Sequence, residues 1–148
     1  MPALMETLIL VADGRRARGL AEHRRHGPLE ERADWAIEAP ESERRGHGKP
    51  GGATTSPGSG RSNVHDVSPA DVAETRFLTK LAADLERAAT AGQFDHLVMI
   101  APPRALGVLR GALGPQASRR LEASDPHDRL TETATDIRAR LRDIRIPA

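Results

Sequence analysis

The chain opens on an apolar run, TLILVA at residues 7–12, with Asp13-Gly14 directly behind it. A short run rich in β-formers that stops at a turn signal predicts a buried strand ending in a tight turn. RARGLAEH (16–23) alternates small, apolar and charged positions and predicts the returning strand. His26-Gly27-Pro28 is a second turn signal, and LEERADWAIEA (29–39) predicts a third strand. Three strands joined by short turns predict an antiparallel meander.

The pattern then changes. Positions 40–67 carry neither a helical nor a strand period, and Pro40, Pro50, Pro57 and the glycines interrupt any regular element. A connection of this length predicts either a functional loop or a flexible connector. Ser68-Pro69-Ala70-Asp71 begins a helix: Ser68 caps, Pro69 suits the first helical position, and Asp71 suits the positive helix end. Ala73, Phe77, Leu81, Leu85 and Ala88 recur on one face as far as Thr90, and Ala91-Gly92 stops the helix. HLVMIA (96–101) predicts a central strand covered on both faces. A second helix starts near Pro103, carries Leu106, Leu109 and Leu113 and ends at Gly114-Pro115. SRRLEAS (118–124) reads as a short strand, and Thr131 as the cap of a last helix with Ala134, Ile137 and Leu141 inward.

The expected fold is one α/β domain over 1–148. A three-strand antiparallel meander is followed by helix, strand, helix, strand, helix, in a ribonuclease-H-like mixed sheet with helices on its faces. Leu8, Leu10, Phe77, Leu81, Leu85, Val98, Ile100, Leu109 and Ile137 are the expected core.

Composition sharpens this in three places. Phe, Tyr and Trp make up only 2% of the chain, so the core must be built from Leu, Val, Ile and Ala. There is no cysteine, which excludes disulfides, thiolate metal sites and cysteine nucleophiles. Net charge is +1, yet between Arg44 and His65 lie Arg44, Arg45, Lys49 and Arg61 with no acid among them. That stretch is a local cationic segment inside a nearly neutral chain. No run approaches the roughly 20 apolar residues of a membrane span, and the N-terminus lacks a signal peptide's basic flank. The expectation is a cytoplasmic protein without membrane insertion.

GHGKPGGATTSPGSGRS (46–62) contains a formal G-x-G-x-x-G at Gly46, Gly48 and Gly51. A dinucleotide site needs that motif directly after a strand and opening a helix, and here Pro50 precedes the last glycine and Thr54-Thr55-Ser56-Pro57-Gly58 comes soon after, so no helix is expected to open. GSGRS has Arg61 where a P-loop needs lysine. The remaining reading is a cationic arm whose arginines and lysine pair with phosphates while Gly51 and Gly52 permit close backbone approach. With no aromatic residue to stack on bases, its sequence readout would be poor. Arg104, after the central strand and Pro102-Pro103, is a further candidate anion contact. Arg138, Arg140, Arg142 and Arg145 read as a solvated helix face that could also touch phosphate. The six histidines show no i, i+4 metal spacing. Asp13 and Asp128 both follow expected strands, and a pair of carboxylates at one sheet end could hold Mg²⁺ for phosphodiester chemistry.

LILVADGRRARG, SGRS, the long helix, FDHLVMIAPPRALGVLRGAL and DPHDRLT together resemble the bacterial host attachment protein family, whose members are described as required for attachment to host cells. That family in turn resembles the middle domain of archaeal and eukaryotic class 1 release factors. The resemblance implies a ribonuclease-H-like fold with a functional loop after the third strand. In release factors this loop carries Gly-Gly-Gln, which enters the ribosomal peptidyl transferase centre. HGKPGGA (47–53) is similar to that stretch: Gly51-Gly52 match the paired glycines, and Ala53 stands where glutamine would be. The implied function is a non-catalytic or degenerate factor, without a cofactor, that meets the ribosome or tRNA through its basic loop and affects attachment indirectly. The alternatives are a metal-dependent nuclease or hydrolase using Asp13 and Asp128, and a protein-interaction module.

Overall fold

The computed structural model of the chain describes residues 6–40 and 68–145. Strands β1 (Thr7–Ala12), β2 (Arg16–Glu22) and β3 (Leu29–Glu38) form the meander. Helix α1 (Pro69–Thr90), strand β4 (His96–Ile100), helices α2 (Pro103–Ala112) and α3 (Pro115–Arg120), strand β5 (Leu121–Asp125) and helix α4 (Ala134–Ile144) follow. The five strands make one mixed sheet in the order β3-β2-β1-β4-β5. β1 pairs antiparallel with β2 and parallel with β4, while β4 pairs parallel with β5. This is the single α/β domain with the meander-then-alternation plan expected from the sequence.

β1 sits in the middle because all six of its residues are buried. Its side chains alternate between the two faces of the pleat. Leu8, Leu10 and Ala12 join one core with Leu97 and Met99 of β4, under Phe77, Leu81 and Leu85 of α1 and Leu109 of α2. Ile9 and Val11 join the other, with Val98, Ile100 and, from α4, Ile137 and Leu141. The sheet is therefore a middle layer, with α1, α2 and α3 on one face and α4 on the other. Every residue of the expected core is buried. Gly19 in β2 is required by packing: a Cβ there would stand 2.6 Å from Cβ of Trp35, which covers it from β3.

Helix ends follow the local chemistry closely. Ser68 accepts a hydrogen bond from the Asp71 amide at 3.0 Å, and Pro69 opens α1. Gly92 beyond it has φ +76°, the left-handed geometry that glycine adopts without strain.

Two expectations are corrected. Residues 118–120 belong to helix α3, not to a strand, and the strand is Leu121–Asp125. The first-turn amides of α3 are met by a side chain from another helix: Glu86 of α1 accepts from the amides of Gln116 (3.2 Å) and Ala117 (2.9 Å). The cap of α4 is Thr133 rather than Thr131. Thr133 and Asp136 form a reciprocal capping box, each side chain accepting from the other's amide.

Candidate functional site

In open α/β sheets, ligands gather at the carboxyl ends of the parallel strands. Here β1, β4 and β5 end on the same rim, and β3, running parallel to β1, ends there too. The β1–β2 turn closes this rim. The Asp13 amide donates to the Arg16 carbonyl at 2.9 Å, and Asp13 Oδ1 accepts from the amides of Arg15 (2.7 Å) and Arg16 (2.8 Å). The Ala39 amide donates to the Arg15 carbonyl at 2.8 Å, which ties the end of β3 to that turn. Arg15 in turn stands 3.8 Å from Glu74 in the second turn of α1. The residues before 41 and after 67 thus converge on one place, around the Gly14-Arg15 turn.

Arg104 lies on the same rim. Pro102-Pro103 turns the chain from β4 into α2, and Arg104 Nη1 comes 3.8 Å from both Asp71 Oδ1 and Glu74 Oε1. Its side chain keeps 54% of its surface exposed, so two carboxylates share its charge while much of the guanidinium still faces solvent. Arg44, Arg45, Lys49, Gly51, Gly52 and Arg61, with the rest of the loop expected at 40–67 beyond Pro40, lie outside the described residues.

Asp13 and Asp128 do stand on the loops after β1 and β5, but β4 lies between those strands, which separates them by about 10 Å at ordinary strand spacing. Each is engaged locally: Asp13 as above, and Asp128 Oδ1 with the Leu130 amide at 3.4 Å. Among the described residues no group of three or more His, Asp or Glu side chains is placed to hold a metal ion.

A pairing that the sequence reading passed over sits beside Asp128. Asp125, at the end of β5, is 7% exposed. Its Oδ1 lies 2.7 Å from His127 Nδ1, and its Oδ2 accepts from Arg129 Nε at 2.6 Å. Burial alone would raise the Asp125 carboxyl, but hydrogen bonds from Arg129 and His127 together with their charges hold it below its ordinary value. An ionised carboxylate only accepts, so Nδ1 of His127 carries the proton in this contact, and the imidazole is largely exposed. Arg18 of β2 pins the same loop from below, donating to the carbonyls of Leu130 (2.9 Å) and Glu132 (2.5 Å). Asp125-x-His127 at a strand end was the available signal in the sequence.

The opposite, amino rim is built differently. Glu22, at the end of β2, is fully buried. It accepts from Arg138 Nη1 (2.7 Å), from Arg145 Nη1 (2.9 Å) and Nη2 (2.6 Å), and from the His26 amide (3.1 Å). Burial pushes its pKa up, but the bonds from Arg145 and Arg138, the charge of Arg145 and the His26 amide outweigh that and bring it down to about 2. Glu122 accepts from Arg145 Nε at 2.8 Å and from both terminal nitrogens of Arg25 at 3.2 and 3.0 Å. His23, held between Glu30 (2.7 Å) and Glu6 (3.3 Å), is raised above its ordinary value chiefly by the bond to Glu30.

A family model described as "Protein required for attachment to host cells" matches residues 8–141. No curated protein matches the chain.

Proposed function

The chain belongs to the family of proteins required for attachment to host cells, and from that premise we propose that it acts as an RNA-binding factor, meeting the phosphate backbone of tRNA or the ribosome. The observation that carries the reading is the acid-free, basic 44–65 segment. It carries four Arg and Lys residues, and the described chain on either side of it, as far as Ala39 and from the first turns of helix α1, meets the carboxyl rim where Arg15 and Arg104 stand. Guanidinium and ammonium groups would pair with phosphate oxygens and release counterions, which makes binding steeply salt-dependent. The absence of aromatic side chains in the segment favours backbone contact over base readout. Ala53, in place of a reactive amide, favours binding without peptidyl-tRNA hydrolysis. On this reading the role in attachment is indirect, through translation or through synthesis of surface polymers.

Co-sedimentation with ribosomes at low salt tests the proposal. Wild-type protein is expected in the ribosomal pellet, with affinity falling by about 0.7 log units per phosphate contact for each tenfold rise in salt if the contacts are to single strands. Joint replacement of Arg44, Arg45, Lys49 and Arg61 by Ala is expected to release it. Failure to bind ribosomes, tRNA or RNA at low salt would sink the reading. Mg²⁺-dependent phosphodiester cleavage lost in Asp13→Asn would instead assign a hydrolase to the carboxylates of the rim.

A further inference from the structure

The amino rim carries a basic feature of its own, on the opposite side of the sheet from Arg15 and Arg104. Arg25 and His26 of the β2–β3 turn line a cleft of about 630 Å³ together with Arg138 and Arg142 of α4 and Arg145 at its C-cap, with Ala139 and Leu141 between them. Three guanidiniums, those of Arg25, Arg138 and Arg145, pair there with two carboxylates, Glu22 and Glu122, and Arg142 adds a fourth. The charge is not balanced inside the cleft.

Counting donors shows where the excess points. Arg145 spends Nε and both terminal nitrogens on Glu122 and Glu22. Arg25 spends both terminal nitrogens on Glu122. Arg138 spends only Nη1, on Glu22 and on the Gly27 carbonyl, so its Nε and Nη2 keep their protons available. Arg142 makes no hydrogen bond or ion pair with any described residue and lines the cleft with its guanidinium uncommitted. Positions 138 and 142 are one helical turn apart on the same face, where like charges repel. The helix dipole favours arginines in the last turn of α4. It does not account for their convergence with Arg25 and His26 from another element.

His26 supplies an independent observation. Its φ is 67°, and it is the one non-glycine residue with positive φ among those described. A side chain rarely adopts that backbone without cost, and such strain collects at binding sites. Glycine would hold the same turn without strain, yet an imidazole lines the cleft.

We propose that this cleft is a binding site for a small phosphate-bearing ligand, a phosphomonoester or diphosphate. Arg142 and the uncommitted side of Arg138 form the fork for its oxygens, and His26 contacts it from across the cleft. Planar guanidiniums pair bidentately with phosphate. Glu22 acts as a positioning residue, fixing Arg138 and Arg145 before any ligand arrives, which lowers the entropic cost of binding.

The test is an NMR and calorimetric titration of the full chain at low ionic strength with inorganic pyrophosphate and, separately, AMP. Saturable binding is expected, with shift changes centred on residues 25–27 and 138–145. Arg142→Ala, on the surface of α4, is expected to weaken binding about tenfold or more, the scale of a lost hydrogen bond to a charged group. His26→Gly is expected to weaken binding while leaving the melting temperature unchanged or raised. Binding of pyrophosphate alone assigns an inorganic or diphosphate ligand, and binding of both assigns a phosphate ester. Absence of saturable binding, wild-type affinity in Arg142→Ala, or shifts confined to the carboxyl rim would overturn the proposal. The joint replacement at Arg44, Arg45, Lys49 and Arg61 is expected to leave this binding intact, so the site stands or falls independently of the RNA reading.

Discussion

The two rims of the sheet use charge in opposite ways. At the amino rim, Glu22 is withdrawn from solvent and surrounded by the guanidiniums of Arg138 and Arg145 and the His26 amide. At the carboxyl rim, Arg104 meets its carboxylates only at 3.8 Å and keeps more than half its surface exposed. A buried carboxylate is tolerable only when its hydrogen bonds are complete, so the amino-rim network is part of the fold and costly to disturb. A loose exposed pair contributes little to stability and leaves the carboxyl-rim side chains available to other groups. Between these extremes stands Asp125, buried like Glu22 but presenting the exposed His127 outward.

Chemical denaturation can break this comparison, and the largest effect belongs to the amino rim. Glu22→Ala leaves the nearly buried head of Arg145 and the partly buried head of Arg138 without their shared carboxylate and is expected to cost about 3–5 kcal/mol. The same group sets an acid limit. Its folded pKa of about 2 lies below the ordinary 4.5. Its stabilisation, on the order of 3 kcal/mol, is therefore complete above pH 4.5 and is lost as pH falls toward 2. In Glu22→Ala that part of the acid sensitivity should vanish. Asp125→Ala removes two charge-assisted bonds at the carboxyl rim and should cost about 1.5–3 kcal/mol. If it costs as much as Glu22→Ala, the two rims are equally structural and the contrast fails. Thr7→Val runs the other way. Thr7 Oγ1 is buried at the amino rim with no partner among the described residues, and an isosteric methyl should stabilise by about 1 kcal/mol. Arg104→Ala should change stability by less than about 0.5 kcal/mol, and a larger loss would make Arg104 a structural residue.

The distribution of charge between the rims also explains what the sequence disclosed. TLILVA, HLVMIA and Ser68-Pro69-Ala70-Asp71 carry their structural instructions locally, through periodicity and caps. Strands β1 and β4 and helix α1 were therefore legible with their boundaries. Helix α3 was not, because six residues are too few to show a period and its capping carboxylate, Glu86, comes from α1 thirty positions earlier. The Glu22 network was hidden for the same reason: it unites β2 with the far end of α4, and nothing in RARGLAEH distinguishes a glutamate that will be fully buried. Arg104 could be placed because a strand followed by Pro-Pro marks a site-forming turn. The Asp125–His127 pair was adjacent in sequence yet indistinguishable from turn residues until β5 was known to end at Asp125.

The pairing of β1 with β4 has a consequence for how the molecule assembles. Glu6 and Asp95, joined at 3.0 Å just before the two strands, are 89 positions apart. The β1–β2 and β2–β3 hairpins close over a few residues and can form early. The central parallel ladder must wait until the whole intervening chain has been folded back, and non-local pairings of this kind form slowly.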